Sequence, residues 1–392
     1  MNTHNRLGAA VIGMNIGEQH ALAYQKSPHV DLKAVCAVSD KTRNRFGQEL
    51  SVDVYEDMND LLARDDIHIV SVCTPDYTHR EVAEKVLAAG KHMLLEKSIA
   101  LTLEDADAII EQARGAGTIC ATGFEFRVNP VMLALKQLLN SGELGDFRAM
   151  SIYYWRGPFR YNKSSRWIQR LECSGGVLVS EACHWFDLIR WFGGEVQDVQ
   201  CNAESQIHGE TDYEDVAYAH LRFANGTHAQ MSHSLAGFGT ALIVWIFGTE
   251  ASAWAYVKPM DGEDPFLGLG EPGEFGRVAL TSAYPNQEEE RARLLDGVRV
   301  TTFGPEAREI ENIKDFAMEF AARVAGNKAP LCSLDDGRKS LEISLAARAS
   351  ALDGGQRVKL PLSSADSEKA TAGFLVEETM QRERTARPEP PA

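Results

Sequence analysis

The 392-residue chain contains no Cys-x-x-Cys pair. Its seven cysteines, Cys36, Cys73, Cys120, Cys173, Cys183, Cys201 and Cys332, are odd in number and scattered. That pattern speaks against a paired-thiolate metal module and against a disulfide framework. Buried thiols in a reducing compartment are expected instead, with no metal site. No apolar run is long enough to cross a bilayer. The opening MNTHNRLGAAVIG lacks the basic start, long apolar core and small-residue cleavage site of a secretory leader, so a cytoplasmic protein is expected. Basic residues are in deficit, 40 Lys and Arg against 56 Asp and Glu, for a net charge of −16. A nucleic-acid partner, which needs basic surface, is therefore not expected. Internal repeats are also absent.

What is present is an ordinary globular mixture, 44% hydrophobic and 24% charged, too long for one ordinary core. The first third alternates short, wholly apolar runs with helical patterns. LGAAVIG (7–13), LKAVCAV (32–38), IHIVSVC (67–73), HMLLEK (92–97) and TICATG (118–123) read as strands. GEQHALAYQKS, REVAEKVLAAG and LEDADAIIEQARG read as helices. Strands apolar on both faces, separated by helices, predict an α/β, doubly wound parallel sheet. Past residue 125 the rhythm changes. Helical NPVMLALKQLLNSGELG and a strand RAMSIYYW lead to GGVLVSEACHWFDLIRWFGG, which reads as one long helix. Strands then dominate, and Asn225-Gly226 marks a hairpin. Residues 259–306 resist assignment, and helices near 311–325 and 335–352 and a short strand RVKLPL follow. The expected organisation is a dinucleotide-binding domain over 1–125, an α+β domain with an open, mostly antiparallel sheet over 126–362, and a polar C-terminal tail over 363–392, read as a mobile arm or one ordered by a neighbouring subunit.

VIGMNIGEQHA joins the first strand to the first helix. Glycines there let the backbone turn tightly and approach a pyrophosphate at a helix N-terminus. Gly13 and Gly17 are in place, Asn15 tolerates positive φ at the middle position, and Ile16 precedes the helix. The spacing is one residue short of GxGxxG, but strand before and helix after are the context this motif needs. Twenty residues beyond Gly17, where an acid holds the ribose of NAD, stands Ala37. Asp40 can serve three residues later, whereas Ser39, Lys41 and Arg43 can meet the 2′-phosphate of NADP. Both cofactors stay open, with NAD favoured.

CTPDYTH (73–79), AAGKHMLLEK (88–97), RVNPVMLALKQLLNSGELG (127–145) and SGGVLVSEACHWFDLIRWFGG (174–194) together resemble the glucose-fructose oxidoreductase, inositol dehydrogenase and rhizopine-catabolism (Gfo/Idh/MocA) family over about residues 7–362. The resemblance implies an NAD(P)-dependent oxidoreductase of sugars, sugar acids or cyclitols. Its Glu-Lys-Pro motif maps onto Glu96, Lys97 and, in place of proline, Ser98. In the family the lysine touches substrate and nicotinamide. A second signature, Asp followed four residues later by His, maps onto Ser180 and His184, with Glu181 beside the missing acid. On one continuous helix Glu181 and His184 share a face. The Lys97–Ser98 bond, without proline, is expected to be trans.

These residues suit hydride transfer from a secondary alcohol, which needs a base for the hydroxyl proton. Burial beside a positive ring lowers a lysine pKa, making Lys97 a possible base, and His184 titrates near neutrality. Glu181 can orient His184 or bind substrate hydroxyls. Ser180 can equally bond its own helix backbone. Thr74, Pro75, His79 and Glu96 are expected beside the cofactor, His79 also as a cap or packing residue of the helix it opens. Arg127, Tyr154 and Trp167 are candidate substrate contacts. Trp155, Arg156, Arg160, Tyr161, Lys163 and Arg166, with Trp167, form a loop of aromatics and cations suited to sugar faces and sugar acids, though an interface explains it nearly as well. A redox-neutral enzyme that cleaves or isomerises through transient oxidation, and a non-enzymatic dinucleotide sensor, are the competing readings. The exposed face of an antiparallel sheet implies a homo-oligomer, dimer or tetramer.

Overall fold

The computed structural model describes residues 6–156, 167–206, 211–235, 240–258, 274–281 and 298–374. Six strands build a first sheet: β1 (Leu7–Ile12), β2 (Val30–Cys36), β3 (Asp53–Tyr55), β4 (Ile69–Val72), β5 (His92–Glu96) and β6 (Cys120–Gly123). All pairings are parallel, in the order β3-β2-β1-β4-β5-β6. β4 and β6 are buried at every residue and β1 at all but its first, because helices cover both faces. The covering helices are α1 (Gly17–Lys26), α2 (Asp40–Leu50), α3 (Met58–Leu62), α4 (His79–Ala88) and α5 (Leu103–Ala116). The order reverses between β1 and β4, where open α/β sheets bind ligands at the strands' carboxyl ends. β3 had no counterpart in the sequence reading. It is a three-residue edge with no buried residue, so no apolar run announces it.

The second layer begins with α6 (Pro130–Asn140), capped by the Asn129 side chain with proline at its first position. β7 (Phe147–Trp155) follows, then α7 (Leu171–Ser174), α8 (Gly176–Ser180) and α9 (Cys183–Gly193). The remaining strands are β8 (Val196–Glu204), β9 (Val216–Phe223), β10 (His228–Ser234), β11 (Ala241–Gly248), β12 (Ser252–Val257), β13 (Gly276–Thr281), β14 (Val298–Phe303) and β15 (Val358–Lys359). They form one sheet, β14-β13-β12-β11-β7-β10-β9-β8-β15. Only β7 and β10 run parallel in it. The hairpin at Asn225-Gly226 joins β9 to β10, with Gly226 at φ 85°. Alternation of buried and open residues along β7 and β9 gives the sheet one packed face and one outer face. Tyr153, Tyr218, Trp245 and Phe247 stand out from the second.

Two long helices then return to the centre, α10 (Glu309–Ala325) and α11 (Leu334–Leu352). α10 lies on α1, and its Phe316, Ala317, Phe320 and Ala321 share a core with Ala9, Val11, Ala21 and Tyr24. The tail differs from the expected arm at its start. α12 (Ser364–Thr371) is capped by Ser363 and lies on α11, where Arg348 donates to the Ala370 carbonyl at 2.7 Å and Phe374 is buried. An alanine and a phenylalanine bury this stretch, so its polar composition misled. The rest of the tail lies outside the described residues, as do Arg160, Tyr161, Lys163 and Arg166. Among the described residues no helix is long and apolar enough to cross a membrane, and no group of three or more His, Cys, Asp and Glu could hold a metal ion. All seven cysteines are buried free thiols.

Candidate active site

The glycine loop is built for close approach. Gly13 ends β1 at φ 89°, and a Cβ there would lie 2.4 Å from the Cys73 carbonyl oxygen. Only glycine fits such a position. A Cβ on Gly17 would meet Val11 at 2.8 Å, so this glycine seats α1 on the sheet. The Asn15 and Ile16 carbonyls accept from Glu18 and Gln19 and start the helix. The loop thus presents a helix N-terminus at the switch point, the cradle a dinucleotide pyrophosphate requires. At the end of β2, Arg43 donates to the Ala37 carbonyl at 2.7 Å and pairs with both Asp40 and Glu56. Ser39 holds the N-cap position of α2 without a side-chain cap bond.

The other strand ends supply charge. After β4, Thr74 and Pro75 lead into a 3-10 turn over Asp76–Thr78, where Asp76 is buried. His79 is fully buried, with Nε2 2.9 Å from the Thr74 carbonyl oxygen and Nδ1 2.6 Å from that of Ser98. It therefore ties the loop after β4 to the loop after β5. Glu96, the last residue of β5, turns under α1, where His20 Nε2 lies 2.9 Å from its Oε1. His20 in turn meets Ser71, which Tyr24 also reaches. Burial alone would raise the Glu96 pKa, but His20 and the Lys97 charge hold it low. The Lys97–Ser98 peptide is cis, against the trans bond expected from the missing proline. Neighbours hold both of its residues: the Ser98 carbonyl meets His79, and Lys97 Nζ donates 2.9 Å to the Ser180 carbonyl.

That last bond exists because the expected long helix is broken. α8 stops at Ser180 and α9 begins at Cys183, with Glu181 at φ −115°. Ala182 N–H reaches back five residues to Val177, and His184 N–H turns to the Glu181 carbonyl. In a continuous helix His184 N–H would have taken the Ser180 carbonyl. The break leaves that oxygen for Lys97. It also dissolves the shared helical face on which Glu181 was paired with His184. Glu181 instead lies 3.8 Å from Arg156, and the Ser180 hydroxyl donates to Gly176 within its own helix.

His184 is buried among aromatic rings, with Phe124 and Phe126 edge-on at 5.8 and 5.5 Å. Glu125, from the 3-10 turn that follows β6, brings Oε2 to 3.6 Å from His184 Nδ1. Tyr154 and His233 are paired across β7 and β10, their rings 5.1 Å apart, and Trp185 donates 2.8 Å to His233 Nδ1. Glu125, His233, Arg156 and Glu309 of α10 all act electrostatically on this cluster. The sequence reading missed Glu125, His233 and Glu309 as site residues. Glu125 carries one available signal, a charge two residues beyond an apolar strand, close to the pattern at Lys97.

The electrostatics reverse one expectation. Burial pushes Lys97 down, but the acidic groups around it, Glu181 foremost, push it further up, so it stays an ammonium. Burial, then Lys97 and His233, drives His184 well below its usual range, and His233 falls to about 3 through burial, Arg156 and Lys97. Burial also holds Asp76, Glu125 and Glu309 protonated above the ordinary carboxylate range. Tyr154 is raised, by burial first.

Two expected substrate contacts sit elsewhere. Arg127 is buried, grips Asp187 of α9 through two bonds of 2.8 and 2.6 Å, and reaches the Leu331 carbonyl and Asp336. Its donors are committed to holding α9, and hence His184, against the turn that carries Glu125. Trp167 opens a short turn before α7, half-buried, its carbonyl accepting from the Arg170 N–H.

Residues 7–124 match the family model described as "Oxidoreductase family, NAD-binding Rossmann fold", and residues 132–254 match the "GFO/IDH/MocA C-terminal domain". An uncharacterized oxidoreductase of Synechocystis is 29% identical over 64% of this chain and 72% of its own. Myo-inositol 2-dehydrogenase of Thermotoga maritima is 27% identical over 64% of this chain and 75% of its own. Levoglucosan dehydrogenase, solved in complex with NADH, superposes with a TM-score of 0.76 at 21% identity, covering 92% of this chain and 100% of that one. With two family models in tandem over the two layers whose strand and helix ends build this site, the chain belongs to the Gfo/Idh/MocA oxidoreductases, whose first domain is an NAD-binding Rossmann fold.

Proposed function

We propose that the protein transfers hydride between NAD and a secondary alcohol or ketone of a sugar, sugar acid or cyclitol. One observation carries this reading: Lys97, from the cofactor-side end of β5, is bonded to the carbonyl four residues before His184. A cation from the first layer is thereby tied to the segment that leads into the helix of His184, and its charge acts on that imidazole. When bound, the nicotinamide supplies the hydride acceptor or donor. Lys97, kept as an ammonium, binds the substrate oxygen and stabilises negative charge that develops on it. His184, kept neutral, has a free lone pair with which to take a proton. Gly13, Asn15, Ile16 and Gly17 hold the pyrophosphate, and Thr74, Pro75, His79 and Glu96 shape the strand ends around the ring. Glu181 and Arg156, with Tyr154, would meet substrate hydroxyls.

NAD is favoured over NADP by the end of β2. There Arg43 is already occupied, and a 2′-phosphate would face Asp40 and Glu56. The names of the inositol and levoglucosan enzymes support a neutral carbohydrate substrate. A panel of sugars, sugar acids and cyclitols, read by reduced-nicotinamide absorbance with NAD and NADP in parallel, tests the assignment. Turnover with NAD is expected. Tightly retained NAD without net reduction on any of them would move the assignment to redox-neutral chemistry. We also infer self-association through the outer face of the second sheet, where Trp245 stacks with Phe247 and Trp254. Light scattering should give a dimer or tetramer, and Trp245→Glu should shift it toward the monomer.

A further inference from the structure

Two buried polar atoms of the site are stranded, His184 Nδ1 and His233 Nε2, and among the described residues only the first has an ionisable side chain in reach. Among the described residues His184 Nδ1 has no hydrogen-bond partner, and it is closed off from solvent. Leaving such an atom unmet is costly, and proteins rarely keep it without a use. The ring cannot turn freely to find a partner, since Phe124, Phe126 and Trp185 surround it. Among the described residues one acid faces it: Glu125 Oε2 at 3.6 Å, on a side chain only 7% exposed. The nearby alternatives are spent, Ser180 on Gly176 and Glu181 beside Arg156. Arg127 fixes the spacing, because its backbone belongs to the turn of Glu125 and its guanidinium grips Asp187, three residues beyond His184.

We propose that Glu125 is the positioning residue of His184: its carboxylate holds the proton on Nδ1, so that the Nε2 lone pair takes the substrate's hydroxyl proton. The inference rests on the dehydrogenase reading above. In the oxidation direction the O–H bond breaks and its electrons close the carbonyl. The carbon's hydrogen leaves as hydride for the nicotinamide, and the proton ends on Nε2, giving an imidazolium beside a carboxylate. The gap of 3.6 Å exceeds a hydrogen bond. Proton-transfer pairs commonly tighten only around substrate. The groups that act on the pair are Lys97 at the end of β5, Glu96 on β5, Glu309 at the start of α10 and His233 on β10. Burial, Glu309 and Glu96 delay the ionisation of Glu125, and Lys97 promotes it. A protonated Glu125 would donate to Nδ1 and place the ring hydrogen on Nε2, where it blocks proton uptake. Alcohol oxidation therefore accelerates as pH rises and Glu125 releases its proton.

The test has two arms. Nitrogen NMR of histidine-labelled full-length wild type, with His184 assigned by His184→Asn, reads the tautomer without any turnover. Across the pH range where Glu125 ionises, the Nδ1–H form should take over; an Nε2–H ring throughout that range overturns the proposal. In kinetics, Glu125→Gln should lower kcat by ~100-fold or more, the scale of lost acid–base assistance, with substrate KM and NADH affinity within a few-fold. The rise with pH should disappear in Glu125→Gln and persist in Glu125→Asp. In a His184→Asn background, Glu125→Gln should cost little more, whereas fully additive losses would show that Glu125 does not act through His184. Should Glu125→Gln fail to fold, the wild-type tautomer decides. Absence of wild-type turnover on carbohydrates would strike the functional reading alone and leave the tautomer result standing.

Discussion

Lys97 is held by its neighbours rather than by its sequence motif. Its ammonium donates to Ser180 and is kept charged by its neighbours, Glu181 foremost. It is therefore a fixed positive charge, not a base waiting to form. Lys97→Ala should reduce kcat by ~100- to 1000-fold, the size of losing one charge-stabilising donor, while NADH affinity stays within a few-fold. Steady-state kinetics and fluorescence titration of the same variant check both halves, and near wild-type turnover would remove Lys97 from the mechanism. Gly13 was legible from a local pattern, a strand-to-helix turn, and Lys97 from a charge at a strand end together with the family's Glu-Lys motif. His184, which on an apolar helix alone reads as a structural residue, became a candidate only through the resemblance. Glu125 and His233 were not legible. Each comes from a segment with its own local explanation, and only the tertiary fold brings them to His184.

At the level of elements, the parallel sheet and the hairpin at Asn225-Gly226 were readable because periodicity and turn chemistry are local. The break between α8 and α9 was not. Neither Glu181 nor Ala182 is a helix breaker, and apolar residues continue on both sides. Tertiary contacts override propensity there, and the reward is the Lys97 bond to Ser180. The glycine loop shows the opposite case, in which the element dictates the residue. Gly13→Ala should cost about 1–3 kcal/mol through its φ of 89°. Its Cβ contact with Cys73 should also displace the loop and weaken NADH binding at least tenfold. Urea melts and titration of the variant measure the two effects, and an unchanged midpoint would mean that the loop yields.

The whole molecule carries an unusual balance of buried titratable groups. His79, His184 and His233 are all pushed down by burial. Below ~6.5 the unfolded chain binds protons that these rings refuse, so their contribution to stability falls with acidification. Asp76, Glu125 and Glu309 are pushed up. They hold protons that the unfolded chain releases above ~4, so their contribution falls as pH rises. Between ~4.5 and 6.5 the two trends oppose each other, and above that window only the carboxylates act. The melting temperature should peak on the acid side of neutrality and decline toward pH 8. Calorimetry from pH 4 to 9 measures this, and a maximum at or above pH 8 would contradict the assigned directions.

The placement of α10 has a consequence for how the chain is made. Its phenylalanines complete the core beneath α1, although more than 180 residues separate them from β6. The cofactor layer therefore cannot be finished when its own strands leave the ribosome. It must wait, with apolar surface open, until residue 325 has emerged. Residues 1–125 expressed alone should bind a hydrophobic dye and unfold with poor cooperativity, and a sharp two-state melt of that fragment would show that α10 is dispensable. A message or product cut short before the last fifth of the chain thus yields a nascent protein that exposes sticky surface and is open to degradation. In this chain order, the emergence of α10 is itself a checkpoint on the nucleotide site.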